Sequence, residues 1–221
     1  MTTVAIGSIF RNSCSYLDRY FQQFEELEVC LRPASLRPVL VEGDSKDKTW
    51  EVLSRFVERK GGVLTKREHG KPEFGSVDSE ERWRALAWCC NGVLDSLTDE
   101  ALVVYVESDL IWEAKTLLRL IGHLCDVPAV APMCFTRAGH FYDIYGHRKN
   151  GVSFSPFPPF HPELGSGLTQ IDSAGSCIVM RGEVARAARF GERDCVVGLG
   201  KSIRDAGYSL WVDPSLKVVH P

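Results

Sequence analysis

The chain is 221 residues long, enough for one sizeable domain that buries roughly 70–75% of its extended surface. Its 44% hydrophobic and 25% charged residues exclude a disordered, fibrous or coiled-coil protein, and apolar runs such as Ala101–Val106 fall far short of the roughly 20 residues of a membrane span. Lys and Arg number 26 against 29 Asp and Glu, a net charge of −3, so nothing global demands a polyanionic partner.

The N-terminus runs into Val4-Ala5-Ile6 with neither a basic leader nor a long apolar stretch, which reads as a chain with no export signal. Eight cysteines are scattered singly, apart from the neighbours Cys89 and Cys90, and no C-x-x-C pair occurs. Together these features predict reduced core thiols in a cytoplasmic protein, not a disulfide framework or a zinc site.

The first element is a short apolar run, Val4–Phe10, ending at Arg11-Asn12-Ser13. A helix follows, with Tyr16, Leu17, Tyr20, Phe21, Phe24 and Leu27 at the spacing of one buried face. Pro38–Val41 predicts a second strand that stops at Glu42-Gly43-Asp44-Ser45, and Asp44 or Ser45 is the expected N-cap of the next helix, which buries Trp50, Leu53, Phe56 and Val57. Gly61-Gly62 ends that helix and Val63–Thr65 forms a third strand. Residues Lys66–Ser79 are polar, contain Gly and Pro, and show no period, as a long surface loop does. A third helix carries Trp83, Ala87, Cys90, Leu94 and Leu97. Ala101–Val106 is the strongest strand, apolar throughout as expected at the centre of a parallel sheet covered on both faces. Helix Glu113–Leu124 and strand Ala129–Met133 complete an alternation that predicts right-handed crossovers and an open, mostly parallel α/β sheet.

The second half departs from that rhythm. Phe154–Gly167 is rich in Gly, Pro and aromatics; short strands are expected around Ile171 and Ile178–Met180, a short helix near Glu183–Arg189, and further strands at Gly207–Val212 and Lys217–Val219. No repeat, low-complexity tract or linker interrupts the chain. It reads as one domain over 1–221, with a nucleotide-binding half over about 1–130 and an acceptor half over about 131–221.

Ligands of open α/β sheets bind outside the carboxyl ends of the strands, and two acidic clusters fall there. Glu107-Ser108-Asp109 closes the strongest strand, and carboxylates at i and i+2 can turn toward one hard divalent cation that bridges phosphates. The same triplet also suits a solvated helix start. Glu42–Asp47 follows the second strand, where an acidic residue accepts hydrogen bonds from a base or ribose; equally, these residues suit helix capping. Arg11 and Arg84, near strand and helix ends, carry forks that suit phosphate, though arginine on a helix also makes a solvated face. His220 follows the apolar run Leu216–Val219 and reads as a ligand or as an incidental terminal histidine.

Taken in order, Val4–Asn12, Val41–Thr49, Arg84–Asn91, Val104–Asp109 and Gly207–His220 resemble successive motifs of GT-A-type glycosyltransferases of the large family-2-like group. Glu42–Asp47 loosely matches that group's acidic-Gly-Ser-x-Asp run. Glu107-Ser108-Asp109 matches its D-x-D motif with Glu in the first place, and Gly207-Tyr208, Pro214 and His220 match its closing G-Y…P…H pattern. Phe141–Arg148 also looks like a segment of fungal-type mannosyltransferases, and compact enzymes of this kind resemble phage TET-associated glycosyltransferases that act on hydroxymethylated cytosine in DNA.

The resemblance implies a GT-A-like, Rossmann-type sheet and metal-dependent transfer of a sugar from a UDP- or GDP-sugar to a hydroxyl of a glycan, a small molecule or modified DNA. It implies Mn²⁺ or Mg²⁺ held by Glu107, Asp109 and His220, with Arg11, Glu42, Asp44, Arg84 and Ser108 at the donor. Inverting members place an E-D pair about a dozen residues before the G-Y, but Cys195 and Val196 stand there in this chain. Asp194 is the nearest substitute base and Asp172 a second, unless transfer proceeds with retention.

Two rival classes fit less well. A nucleotidyltransferase of similar fold is expected to carry a Gly-rich basic loop after the first strand, and Ile9–Ser13 contains no glycine. A non-catalytic carbohydrate- or partner-binding module needs no metal carboxylates. Between Arg181 and Arg204 six basic side chains stand against three acidic ones, and with Phe154, Phe157 and Phe160 this suits either a nucleic-acid backbone with a stacked base or an ordinary basic helix face.

Overall fold

The computed structural model describes residues 2–75 and 78–221. Ser76 and Val77, part of the loop expected over 66–79, lie outside the described residues, as does Met1.

Among the described residues, ten strands and six helices follow one another as β1 (Thr3–Phe10), α1 (Leu17–Leu31), β2 (Ser35–Glu42), α2 (Thr49–Lys60), β3 (Val63–Lys66), α3 (Glu80–Asp95), β4 (Leu102–Val106), α4 (Ala114–His123), β5 (Ala129–Thr136), β6 (Arg148–Lys149), β7 (Val152–Ser153), β8 (Thr169–Ile171), β9 (Cys177–Arg181), α5 (Gly182–Ala187), α6 (Val196–Asp205) and β10 (Leu210–His220). Eight strands form one sheet in the order β3-β2-β1-β4-β9-β5-β10-β8, and β6 and β7 pair as a small hairpin. Strands β3, β2, β1 and β4 are parallel, as the alternation predicts. The apolar run of β4 is central, but its second neighbour is β9, which runs antiparallel to both β4 and β5. The two segments expected over 207–212 and 217–219 are a single strand, β10, with a bulge between Asp213 and Lys217.

Successive side chains of a strand face opposite sides, so the β4 run splits between two cores. Val103 and Tyr105 pack with Trp83, Ala87 and Cys90 of α3, Val184 of α5 and Leu199 and Ile203 of α6. Val104 and Val106 pack with Leu17, Tyr20 and Phe24 of α1, Leu53 and Phe56 of α2, and Leu117 and Leu120 of α4. Helix α6 carries no strong signal in its Gly-interrupted sequence and is an element that periodicity passes over. Helix α2 begins later than its expected cap: Lys48 is the N-cap residue, and the Asp47 carboxylate accepts from the Thr49 N–H at 3.0 Å. Gly61, at φ 70°, ends α2 as its glycine suggests. All eight cysteines are free; five are buried core thiols, while Cys14, Cys30 and Cys125 are exposed.

Because β1, β2, β4, β5 and β10 point the same way, their carboxyl ends share one edge of the sheet. Residues far apart in sequence, Arg11, Gly43, Glu107 and His220, meet there.

Candidate functional site

A cleft of about 740 Å³ opens along this edge. Its floor is the turn after β4. Glu107 N–H donates to Ser176 O at 2.8 Å and Leu110 N–H to Glu107 O at 3.2 Å, closing the turn against the start of β9. Helix α1 reaches the same turn: Arg19 donates to Asp109 O at 2.6 Å, and the Tyr16 and Ser108 hydroxyls lie 3.1 Å apart. Ile111 then pairs with Val219 through two 2.8 Å backbone hydrogen bonds, which brings the end of β10 beside the acidic triplet. As a result His220 Nε2 lies 3.2 Å from Asp109 Oδ2, and its ring stacks on Tyr142 with centroids 3.9 Å apart.

The carboxylates of this site differ in exposure. Asp109 is 35% exposed and Glu107 is half-buried, whereas Asp143 is buried in the floor. Burial, reinforced by the charges of Asp143 and Asp109, pushes the Glu107 carboxyl up to about 8. Burial likewise raises Asp143 to about 7, against the pull of the Ser176 hydrogen bond and the His220 charge. His220 rises through its hydrogen bond to Asp109, against its own burial. The Glu107 carboxyl thus faces the charges of Asp143 and Asp109 at the same end of the cleft. Oxygen donors with one imidazole are the donor set that Mn²⁺ or Mg²⁺ accepts. Among the described residues no three His, Cys, Asp or Glu side chains close into a ready cation cage; the convergent pair is Asp109 and His220.

The other residues singled out in the sequence are distributed unevenly. Arg11 lines the cleft, but its guanidinium donates to Lys71 O at 2.8 Å and Pro72 O at 3.1 Å, strapping the 66–79 loop to the end of β1. Asp44, at φ 58°, accepts from His69 N–H at 2.8 Å and Gly70 N–H at 3.2 Å. Burial alone would raise its carboxyl; the two backbone donors outweigh it and hold it below the usual carboxylate range. Glu42 is buried and accepts from Ser45 N–H at 2.8 Å, shaping the turn behind the cleft. Arg84 does not reach the cleft: it lies on the outer side of α3, paired with Glu80 at 2.6 Å beside a shallower hollow.

Neither expected base lines the cleft. Asp172 accepts from Gly151 N–H at 2.6 Å, and its backbone carbonyl takes Arg204, so it ties the β6–β7 hairpin to α6. Asp194 is packed against Gly191 and Gly198 at the start of α6, and the wall of the cleft is formed by its neighbours Cys195 and Val196. Three groups that sequence reasoning missed as site residues do line it: Tyr16, Tyr142 and Asp143.

The basic stretch over 181–204 is largely engaged. Arg181 donates to Leu124 O, Arg186 to Glu100 O, and Arg189 and Lys201 pair with Asp95 and Asp205. Phe154 is buried and Phe160 packs on Phe135, leaving Phe157 exposed, so the three rings form no common stacking face.

No family model matches the sequence, and no curated protein matches it. Solved structures do. The mannosyltransferase PcManGT from Pyrobaculum calidifontis, in complex with GDP-Man and Mn²⁺, superposes with a TM-score of 0.58 at 19% identity, covering 98% of this chain and 56% of that one. GalNAc-T7 with UDP, GalNAc and Mn²⁺ gives 0.59 at 13%, covering 100% and 44%. TarS 1–349 from S. aureus gives 0.56 at 12%, covering 99% and 60%. The fold is that of GT-A glycosyltransferases. This chain spans about half the length of the structures it resembles. The GT-A frame accounts for the edge described above: a parallel side, β1 to β4, joined through an antiparallel strand to the remainder of the sheet. No helix among the described residues is long and apolar enough to cross a membrane.

Proposed function

We propose that the chain is a metal-dependent glycosyltransferase that moves a sugar from a UDP- or GDP-sugar to a hydroxyl group. The observation that carries this reading is the Asp109–His220 pair, two donor atoms of the right chemistry 3.2 Å apart at the carboxyl edge of a GT-A sheet. Asp109 and His220 would hold the divalent ion, with Glu107 behind them and the donor's diphosphate oxygens completing its shell. A bound ion would neutralise the charge that develops on the leaving diphosphate.

The chain's own residues do the rest. Tyr16 and Arg19 fix the 107–109 turn, so that Asp109 presents one oxygen outward and Ser108 faces the donor. Arg11, Asp44 and Glu42 serve the donor end indirectly, through the loop and turn that wall it. Complexes of the similar structures point to the donor class: GDP-Man with PcManGT, UDP with GalNAc-T7 and UDP-GlcNAc with TarS.

Calorimetry with GDP-mannose and UDP-sugars, with and without Mn²⁺, tests the reading; metal-dependent binding is expected, and no binding in Mn²⁺ refutes it. Mass spectrometry of products from simple glycosides and from hydroxymethylated DNA then names the acceptor. Release of the sugar 1-phosphate instead of GDP or UDP would mark a nucleotidyltransferase, and binding without any product would mark a binding module.

A further inference from the structure

We infer that Asp143 is the base that takes the acceptor's hydroxyl proton, with His147 as its positioning residue; this rests on the transferase reading above. Asp143 lies in the stretch between β5 and β6, whose backbone is fixed on both sides of it. Tyr142 N–H donates to Cys134 O at 2.8 Å, and His147 N–H to Asp143 O at 2.9 Å. The side chain lines the cleft one residue beyond Tyr142, the ring that stacks on His220.

Its seat is built for a carboxylate. The Ser176 hydroxyl donates to Oδ1 at 3.1 Å, and the carboxyl group rests on the bare Cα of Gly175, where any Cβ would overlap it. Oδ2 is buried with no hydrogen-bond partner among the described residues and faces His147 Nδ1 at 3.7 Å, itself unpartnered. A sealed carboxylate with half its hydrogen-bonding capacity unmet works against folding, and such a group calls for a role. The side chain keeps 11% of its surface, to which Oδ2 contributes nothing, and in the proposed step Oδ1 takes the acceptor's proton.

In the step proposed, the hydroxyl oxygen forms a bond to the anomeric carbon as that carbon's bond to the diphosphate oxygen breaks. The electron pair leaves with the diphosphate, and the hydroxyl proton passes to Asp143. Buried His147 is neutral, and with its proton on Nδ1 it can turn that N–H toward the ionised Oδ2, which holds the carboxylate plane in place. Asp194 and Asp172, the alternatives suggested by sequence, are engaged elsewhere in the fold.

Water as acceptor makes the test independent of the natural substrate. With Mn²⁺ and either GDP-mannose or UDP-glucose, wild-type protein should release free sugar. Asp143→Asn should cut release by roughly 10²–10⁴-fold, with affinity for GDP or UDP unchanged and the melting temperature not lowered. Release at the wild-type rate overturns the inference, as does loss of nucleotide affinity in step with release. Should that variant melt early, Ser176→Ala frees Oδ1 without removing the charge: kcat should fall with KM for the donor unchanged, and an unaltered kcat overturns the assignment. His147→Gln should show the same split. Wild-type protein that binds neither nucleotide overturns the transferase reading itself, an outcome separable because it precedes any comparison of variants.

Discussion

Glu107 and Asp109 stand two residues apart and both are half-buried; the turn after β4 ties the backbone of the first to Ser176 and brings the second to His220 at the end of β10. Removing Asp109 therefore takes little from the core. Asp109→Ala should leave the melting temperature nearly unchanged, within the ±0.5 kcal/mol usual for surface substitutions, and abolish Mn²⁺-dependent nucleotide binding by calorimetry. Gly175 is the opposite case. A methyl group there meets the Asp143 carboxylate, and overpacking of this kind typically costs about 1–3 kcal/mol. Gly175→Ala should lower the melting temperature, and combining it with Asp143→Ala should cost less than the sum of the two single changes, since the clash is then gone. Additive melting shifts would refute the packing account. The acidic triplet was legible because it ends an apolar strand. Asp143 was not, except as part of a segment with a family resemblance: a single carboxylate in an irregular stretch carries no period, and only the fold sets it beside Ser176.

At the level of elements, the sequence signal was strongest where a strand is apolar throughout and a helix shows one buried face, as in β4, α1 and α3. It failed where side chains compete for backbone. Asp44 looked like a cap for α2, but Asp47 is nearer the helix start and takes the Thr49 amide, leaving Asp44 to bind the 66–79 loop. The consequence is measurable. Asp44→Ala should leave α2 intact and strip hydrogen-exchange protection from the His69 and Gly70 amides. Unchanged protection there would show that the loop is held by its other contacts, among them Arg11 and the Lys71–Glu81 pair. The pH dependence has a fixed sign: Asp44 is held below the usual range, so its contribution is complete above the unfolded value of roughly 4 and lost as pH falls through the lower folded value. Protection of those two amides should fade in acid before the strands of the sheet open.

At the scale of the whole molecule, the residues proposed for the donor, Arg84 apart, gather at one edge of the sheet, and the antiparallel insertion of β9 decides how that edge is arranged. Periodicity predicted that β9 exists but not its direction, because a five-residue apolar strand reads the same either way. Direction matters here: β9 starts at Cys177, so Ser176 and Gly175 arrive at the cleft instead of the opposite edge. A ligand that bridges this edge couples β1, β4 and β10, three strands contributed by distant parts of the chain, and should stabilise the fold as a unit. A nucleotide present at 100 times its Kd adds about 2.7 kcal/mol, which for a domain of this size corresponds to roughly 5–11 °C in melting temperature. GDP or UDP with Mn²⁺ should therefore raise the melting temperature by several degrees in a single cooperative transition, while either nucleotide without the ion should do much less. Asp109→Ala should lose the shift. A rise of equal size with the metal chelated would place the nucleotide away from the Asp109–His220 pair.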